Sequence, residues 1–282
     1  MKSLNNLTNL NSYFSQADYI FNDFQSWENK NLGYGLGCAY IYADSLVIPF
    51  SREKGQLISA VLGVTSEGVE QLLDFSLDVK NHLSNWERIF SKLKDANLPS
   101  PQLLIAKRDD SIAEAITNIY PTCKLQYCWD HEIEEILEQF PRRARKQVLY
   151  DLNMISTSDF TQEAFDRIDF FGERYSRSYP NPLTKIYLNK ERFFTFHDFP
   201  AEHWQFIRST AQLESFLKIL SNICTKELQF SSSLTLDREK IYYLFKLVVS
   251  KAQKINSPDL LRKVLNGAKF KDGNFVPRKY RK

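Results

Sequence analysis

The sequence predicts a mixed α/β fold in which three strands form an antiparallel meander and two more strands follow through helices. Three β-rich runs come first and are joined by short connections. Two short apolar runs then each follow a segment of helical periodicity, which suits parallel crossovers. The remainder, from about 130 to 265, is nearly all helical by periodicity.

The first three strands are placed by their apolar and β-branched residues. One run begins at Gly35 and ends near Asp44, and a second, LISAVLGV, covers 57–64. The sequence TSEG then provides turn residues, and VEQLLDFSL at 69–77 follows as the third strand.

The later elements alternate between helix and strand. Residues 82–96 place an apolar stripe at helical spacing, formed by Leu83, Trp86, Ile89, Phe90 and Leu93. A short strand, LLIA, follows at 103–106, then a helix at 111–120 that Pro121 ends, and a strand at 124–129. A five-stranded mixed sheet in this order is the RNase H-like plan.

The composition is that of an ordinary soluble globular protein. Hydrophobic residues make up 43% and charged residues 25% of the 282 residues, and the net charge of +3 favours a polyanionic partner only weakly. The four cysteines are unevenly spaced and suggest no disulfide framework. No apolar run of about 18 residues is present, so we expect no membrane span and a cytoplasmic protein.

Three carboxylates are candidates for metal-dependent chemistry, although each has a simpler interpretation. Asp44 could cap a turn, Asp109 could cap the helix that follows it, and Glu214 could be a surface residue of a helix. In an RNase H-like sheet, however, the first and fourth strands are neighbours, so acids at their ends converge. A late helix can add the third acid, and three acids can hold two Mg²⁺ ions that activate a water or a 3′-hydroxyl.

The sequence CWDH places Cys128 and His131 directly after the fifth strand. Cys-x-x-His can supply half of a zinc site. No second pair of cysteines or histidines lies at ligand spacing, so we expect Cys128 to be a small buried residue. We expect His131 to orient the edge of the site through hydrogen bonds, without zinc.

A basic cluster enters a helix at PRRARKQVLYDL, 141–152. A solvated helix face and a phosphate-binding surface are both open interpretations. On the second interpretation the DNA-binding candidates are Arg142, Arg143, Arg145 and Lys146, together with Arg208 near the predicted catalytic Glu214.

Several segments resemble the mutator-type family of bacterial insertion-sequence transposases, over about Phe24 to Phe275. VLGVTSEGVEQLLDF (61–75) is similar to the family's first catalytic block, and IYPTCKLQYCWDH (119–131) to its Cys-x-x-His signature. The segment FHDFPAEHWQFIRSTAQLES (196–215) resembles its Arg-x-Thr stretch before the catalytic Glu, and GAKFKDG (267–273) resembles its tail.

The resemblance implies an RNase H-like enzyme that cuts DNA at element ends and joins them to target DNA with Mg²⁺. It implies that Asp44 and Glu214 are catalytic metal ligands and that Asp109 is a candidate for the third. Double-stranded DNA is the implied partner, bound by a homo-oligomer in a bacterial cytoplasm at the nucleoid.

The resemblance also implies a division of the chain. We expect a lead-in segment at 1–30, with a short helix around Tyr19–Trp27, and the first part of the catalytic core at 31–130. A helical insertion at 131–205, the C-terminal helices of the core at 206–268 and a basic tail at 269–282 would follow. The family's N-terminal DNA-binding region would be missing, as in a truncated copy.

This chain departs from the family where the second catalytic Asp is expected. Counting forward from Leu103 places Arg108 at that position, and counting back from Pro121 places Lys107 there. Only a two-residue shift brings in Asp109. The sequence therefore leaves two functions open: a metal-dependent transposase, or an inactive descendant that only binds DNA or a partner protein.

Overall fold

The computed structural model describes residues 17–33, 37–49, 55–79, 86–179, 181–230, 237–249 and 254–277. Helix α1 (Ala17–Glu28) leads into strands β1 (Tyr40–Pro49), β2 (Gly55–Val64) and β3 (Glu70–Val79). The chain continues with helix α2 (Trp86–Asp95), strand β4 (Leu103–Ala106), helix α3 (Asp110–Ile119) and strand β5 (Lys124–Tyr127). This agrees with the predicted order of elements.

Most of the later chain is helical. Four helices follow the sheet: α4 (Trp129–Glu138), α5 (Arg142–Ser156), α6 (Thr161–Tyr175) and α7 (Asn181–Phe193). After two 3₁₀ turns, Thr195–Asp198 and Ala201–His203, come α8 (Trp204–Ile207), α9 (Ala211–Phe230), α10 (Arg238–Val249) and α11 (Pro258–Leu265). Within the described residues, no helix is long and apolar enough to cross a membrane.

The five strands form one mixed sheet in the order β3-β2-β1-β4-β5. β1 pairs antiparallel with β2 and parallel with β4, and β4 pairs parallel with β5. The RNase H-like fold class is therefore confirmed, and Asp44 lies on the first strand beside 103–106, as predicted. One detail was wrong: β1 does not end near Asp44, because its pairing with β2 continues to Pro49.

Alternate residues of β1 contribute to two cores, one on each face of the sheet. Tyr40 and Tyr42 pack with the later helices, while Ile41 and Ala43 pack with α2 and α3. Since side chains alternate along a strand, Asp44 belongs to the face that carries Tyr40 and Tyr42. That face is covered by α9, which carries Glu214.

The end of the described chain is ordered by a small hairpin. Strands β6 (Lys269–Lys271) and β7 (Asn274–Val276) meet at a turn in which Asp272 and Gly273 have φ of 45° and 76°. Asp272 Oδ1 accepts from Thr161 N at 2.9 Å, which fixes the hairpin to α6. The segment predicted as a basic tail therefore begins with a docked hairpin, and residues 278–282 lie outside the described part.

Candidate active site

Asp44 lies where the parallel pairing of β1 with β4 ends. The last paired residues are Ala43 and Ala106, so Asp44 is one residue beyond the pairing with β4 although it still pairs with Ala60 of β2. Its carboxylate is 5% exposed. Oδ1 accepts from Ser45 N at 2.7 Å, and Oδ2 accepts from Thr210 Oγ1 at 3.3 Å.

Glu214 approaches Asp44 from the first turn of α9. Thr210, just before the helix, donates from Oγ1 to Glu214 Oε1 at 3.1 Å. Lys218 lies one turn further along the helix and donates to Oε2 at 3.0 Å. The two predicted catalytic acids are thus joined by one threonine hydroxyl, so the structure brings Asp44 and Glu214 together.

His131 lies between these two carboxylates. Its Nε2 is 3.1 Å from Asp44 Oδ2 and 3.3 Å from Glu214 Oε1. Burial alone lowers the pKa of His131, but the hydrogen bond and charge of Asp44 and the charge of Glu214 outweigh it, so the pKa is raised. His131 contacts the site through hydrogen bonds, which is the arrangement that the sequence predicts.

Cys128 is buried directly beneath this cluster. The backbone N of Thr210 donates to the Cys128 sulfur at 3.3 Å, and Thr210 Oγ1 lies at the same distance from the sulfur. Burial raises the pKa of Cys128 to about 12, so that a thiol without a bound cation stays protonated. Cys128 directly follows β5, and α4 begins at the next residue, so His131 lies in the first turn of that helix.

Asp109 has a different position from the other two acids. It is the N-cap of α3, and its Oδ1 accepts from Ser111 N at 2.8 Å and from Ile112 N at 3.4 Å. Within the described residues, the contacts of this carboxylate are with its own helix and with neither Asp44 nor Glu214. The helix-cap interpretation therefore accounts for Asp109.

Lys107 is the residue that follows β4, as Asp44 follows the last β1 residue that pairs with β4. The Lys107 side chain is exposed. Continuing the alternation of β4 by one residue assigns Lys107 to the face of Leu103 and Ile105, which is the face of Asp44. Its ammonium is close enough to His131 to act against the rise in the pKa of the imidazole.

Arg108 turns toward helix α4 and away from this position. Its guanidinium donates to Glu132 Oε2 at 3.0 Å and to Glu135 Oε2 at 2.7 Å. Glu132 is 2% exposed, and among the described residues its other oxygen, Oε1, has no hydrogen-bond partner. The pair holds the helix that carries His131 against the end of β4, a contact that no local sequence pattern indicates.

A second buried carboxyl supports the start of α9. Glu70 is 5% exposed, and burial raises its pKa to about 7. The Gln212 side chain lies against it, and its NH₂ donates to Glu70 Oε2 at 2.9 Å when the amide is turned to satisfy both groups. The sequence does not indicate Glu70, Gln212 or Thr210 as site residues, because their roles depend on contacts between β1, β3 and α9.

The basic cluster divides into exposed and engaged residues. Arg142, Arg143 and Lys146 are exposed at the start of α5 and form no ion pair within the described part of the chain. Arg145 instead donates to the carbonyl of Phe140 at 2.9 Å, at the end of the preceding helix. Arg208 is partly buried, and its backbone oxygen accepts from Trp129 N at 3.0 Å.

The sequence model described as "Transposase, Mutator family" matches residues 14–227. The chain belongs to the mutator family of transposases. The match covers β1 and its Asp44, the Cys-x-x-His element and the α9 segment that carries Glu214. The three elements that build the site therefore all lie within the family match.

Three relatives of this mutator-family chain illustrate the similarity. It is 25% identical over 260 residues to the transposase for insertion sequence element IST2 of Acidithiobacillus ferrooxidans, covering 89% of this chain and 85% of the relative. It is 23% identical over 240 residues to the IS6120 transposase of Mycolicibacterium smegmatis, covering 85% and 74%. The IS905 transposase of Lactococcus lactis is 22% identical over 200 residues, covering 70% and 51%.

The donor set of this site does not fit a two-magnesium centre. Such a centre uses carboxylates to offset the repulsion between two divalent ions, and Mg²⁺ prefers oxygen ligands throughout. Here Asp44 and Glu214 supply two carboxylates, but the residue that follows β4 is Lys107, and Asp109 caps a helix. The other donors that converge on the acids are the nitrogen of His131 and the sulfur of Cys128.

Proposed function

We propose that this mutator-family chain takes part in transposition by binding DNA, and that its own strand-cleavage centre is incomplete. Its relatives are named transposases for insertion sequences, which supports double-stranded DNA as the partner. The observation that carries the second half of the proposal is Lys107, which directly follows the last β4 residue that pairs with β1, where the third carboxylate is expected. A cation at this position replaces a negative charge by a positive one beside the two remaining acids.

The physical reason is electrostatic. Two divalent ions about 4 Å apart repel each other strongly, and carboxylates in a partly desolvated site must offset that repulsion. Replacing one Asp by Lys changes the local charge by two units in the wrong direction. Asp109 cannot supply the missing carboxylate from its helix-cap position without losing the hydrogen bonds that it accepts from Ser111 N and Ile112 N.

Binding to DNA has its own support in the exposed cations of α5. Arg142, Arg143 and Lys146 have no acidic neighbour in the first helical turn, where the helix dipole already disfavours positive charge. Phosphates would stabilise this arrangement, both through the cations and through the free backbone N–H groups. We expect weak, salt-sensitive binding with little sequence preference, by a chain that associates with other copies on DNA.

The second candidate function is metal-dependent DNA cleavage and strand transfer with Mg²⁺, carried by Asp44, Asp109 and Glu214. The convergence of Asp44 and Glu214 on His131 and Thr210 favours it. On this view the loop after Ala106 would have to bring Asp109 from the helix cap to Asp44 when DNA binds.

A nicking assay on supercoiled plasmid with Mg²⁺ or Mn²⁺ separates the two functions without knowledge of the element ends. We expect the wild-type chain to stay at background, and Lys107→Asp to raise nicking by roughly tenfold or more, because it restores a third carboxylate beside Asp44. Lys107→Ala is the matched control, since it removes the cation without adding an acid. The gain should disappear when Glu214→Gln is added.

The opposite result would be strong wild-type nicking that Asp109→Asn and Glu214→Gln each abolish. That outcome would establish Asp109 as a working ligand and would overturn the incomplete-centre proposal. Nicking by the wild type that neither substitution changes would indicate a contaminating nuclease, and repeating the assay with protein purified through an additional ion-exchange step would remove it.

A further inference from the structure

The cluster around Asp44 is rich in hydrogen-bond acceptors and poor in donors. Asp44 Oδ2, Glu214 Oε1 and Cys128 Sγ all lie near the one hydroxyl of Thr210, at 3.3, 3.1 and 3.3 Å. That hydroxyl has a single proton and can donate to only one of them at a time. Each acceptor has another donor nearby, but the three cannot all be satisfied by this hydroxyl, whereas one cation could bind all three acceptors at once.

His131 also faces more acceptors than one N–H can donate to. One nitrogen, Nε2, lies 3.1 Å from Asp44 Oδ2 and 3.3 Å from Glu214 Oε1. A single N–H points well at one of these oxygens but not at both. With metal–ligand bonds of about 2.0–2.1 Å, the ligands of a tetrahedral ion lie about 3.3 Å apart. The two observed separations match that spacing.

We propose that Cys128, His131, Glu214 and Asp44 form a binding site for a single Zn²⁺ or a similar borderline transition-metal ion. The ligand atoms of Cys128, His131 and Glu214 lie within 4.8 Å of one another. Asp44 lies outside that group of three, but its Oδ2 is 3.1 Å from His131 Nε2 and would supply the fourth ligand. A sulfur, a nitrogen and two oxygens suit zinc or cobalt in a tetrahedral site, whereas Mg²⁺ does not select sulfur.

The surroundings of Cys128 support its role as a ligand. Its sulfur accepts from the backbone N of Thr210, and such contacts orient and stabilise a metal-bound thiolate. The backbone N of Cys128 itself donates to Ala106 O at 2.8 Å, which fixes the residue at the edge of the sheet. The sulfur is therefore held in place before any ion arrives.

The charges also balance for one ion. A thiolate and two carboxylates carry three negative charges, one more than a divalent ion offsets. Lys218 donates to the outer oxygen of Glu214 at 3.0 Å and offsets that remaining charge.

This inference reverses the expectation that the Cys-x-x-His element binds no zinc. The sequence shows no second pair of cysteines or histidines at ligand spacing. The missing ligands are carboxylates that lie 84 residues before Cys128 and 83 residues after His131 in the printed sequence, and only the fold joins them. The proposal goes beyond the proposed function and does not depend on it.

Cobalt binding to the purified full chain tests the proposal without DNA. The chain is first treated with a chelator, dialysed and titrated with Co²⁺. We expect one equivalent to give the strong visible bands of tetrahedral Co²⁺ and the near-ultraviolet charge-transfer band of a cobalt thiolate. Zn²⁺ should displace the cobalt at a stoichiometry of one, measured by elemental analysis.

Variants assign the ligands. Cys128→Ser should abolish the charge-transfer band, and Glu214→Gln should weaken Co²⁺ binding by about tenfold or more while keeping that band. Cys123→Ser is the matched control, because Cys123 is a free cysteine outside the cluster and its loss should change neither signal. Circular dichroism shows whether each variant is folded. If Cys128→Ser folds poorly, the weaker Co²⁺ binding of Glu214→Gln still tests the proposal.

Absence of tetrahedral Co²⁺ bands in a folded wild-type chain would overturn the proposal. So would a charge-transfer band that survives in folded Cys128→Ser or disappears in Cys123→Ser. These results concern the metal alone and are read separately from plasmid nicking, so either proposal can fail while the other stands.

Discussion

Lys107 and Asp44 each follow the last residue pair, Ala106 and Ala43, of the parallel ladder between β4 and β1. Asp44 belongs to the face of the sheet that α9 covers, and Lys107 is exposed at the end of β4. A lysine beside a buried aspartate can stabilise one negative charge, but it competes with any second divalent ion for the same space. The chemistry open to this edge of the sheet depends on that one position.

The exposed cations of α5 should determine how DNA affinity depends on salt. Each phosphate neutralised contributes about 0.9 to the slope of log K against log salt concentration. We expect Arg142→Ala, Arg143→Ala and Lys146→Ala together to lower that slope by about 2 to 3. Fluorescence anisotropy on a labelled duplex at several salt concentrations measures it.

A triple variant at other exposed cations provides the control for this slope. Arg177, Lys254 and Lys263 are exposed residues outside the cluster. Their replacement by alanine makes the same change in net charge and should alter the slope by less than half as much. Equal effects from the two triple variants would show that net charge, and no particular surface, governs binding.

Asp109 should contribute to stability as a helix cap. Its Oδ1 accepts from Ser111 N and Ile112 N at the start of α3. Replacing an Asp cap by Ala costs about 1 kcal/mol, whereas Asn caps nearly as well. We therefore expect Asp109→Ala to lower the free energy of unfolding in urea by about 1 kcal/mol and Asp109→Asn to leave it nearly unchanged. A loss of equal size in both variants would argue for a role of the negative charge.

The sequence predicts the sheet well because its signals are local. The TSEG turn, the short apolar strands and the helix that Pro121 ends are each visible within about ten residues, and the structure has them in the predicted order. The predicted length of β1 was wrong because an Asp after an apolar run is typical of a strand end. Asp44 lies in the middle of β1, because β2 continues to pair with β1 beyond the last residue that pairs with β4.

The site itself could be predicted only in part. Asp44 and Glu214 were predicted from the order of elements and from the family resemblance, and the structure brings them together. Thr210, Gln212 and Glu70 depend on how α9 crosses the sheet, which no local pattern encodes. The position of Lys107 required the register of β4, because counting from either end of that segment gave different residues.

Arg108 and Glu132 form a buried pair whose separation should be costly. Arg108 is 23% and Glu132 2% exposed at the side chain, and Nε donates to Oε2 at 3.0 Å. Arg108→Ala leaves Glu132 buried with Glu135 nearby and no guanidinium. We expect a loss of about 3 kcal/mol in the free energy of unfolding, at the lower end for buried pairs because Arg108 is partly solvated.

A double-mutant cycle checks this pair. Since Arg108→Met combined with Glu132→Gln removes both charges, it should cost less than Arg108→Met alone. Chemical unfolding of the four proteins measures the coupling. Additive losses would show that the two side chains act independently and that the pair does not hold α4 to the end of β4.

Glu70 should make the stability of the fold depend on pH. Burial raises its pKa to about 7 in the folded chain, against 4.5 for an ordinary glutamate. A raised pKa means that the folded state favours the protonated form. The contribution of Glu70 to the free energy of unfolding should therefore be highest below pH 4.5 and fall between pH 4.5 and 7. Above pH 7 it should stay constant.

The size of this fall is at most about 3 kcal/mol, since one pKa unit corresponds to about 1.4 kcal/mol. The amide of Gln212 donates to the carboxylate and reduces the loss, because a hydrogen bond to the charged form stabilises it.

Glu70→Gln removes the ionisation, so the variant should become more stable relative to the wild type as pH rises from 5 to 8. Gln212→Ala should have the opposite effect and deepen the fall. Urea unfolding at several pH values measures the stability of both variants. If the wild type and Glu70→Gln have the same pH profile, Glu70 has the same pKa in the folded and unfolded chains, and the prediction is wrong.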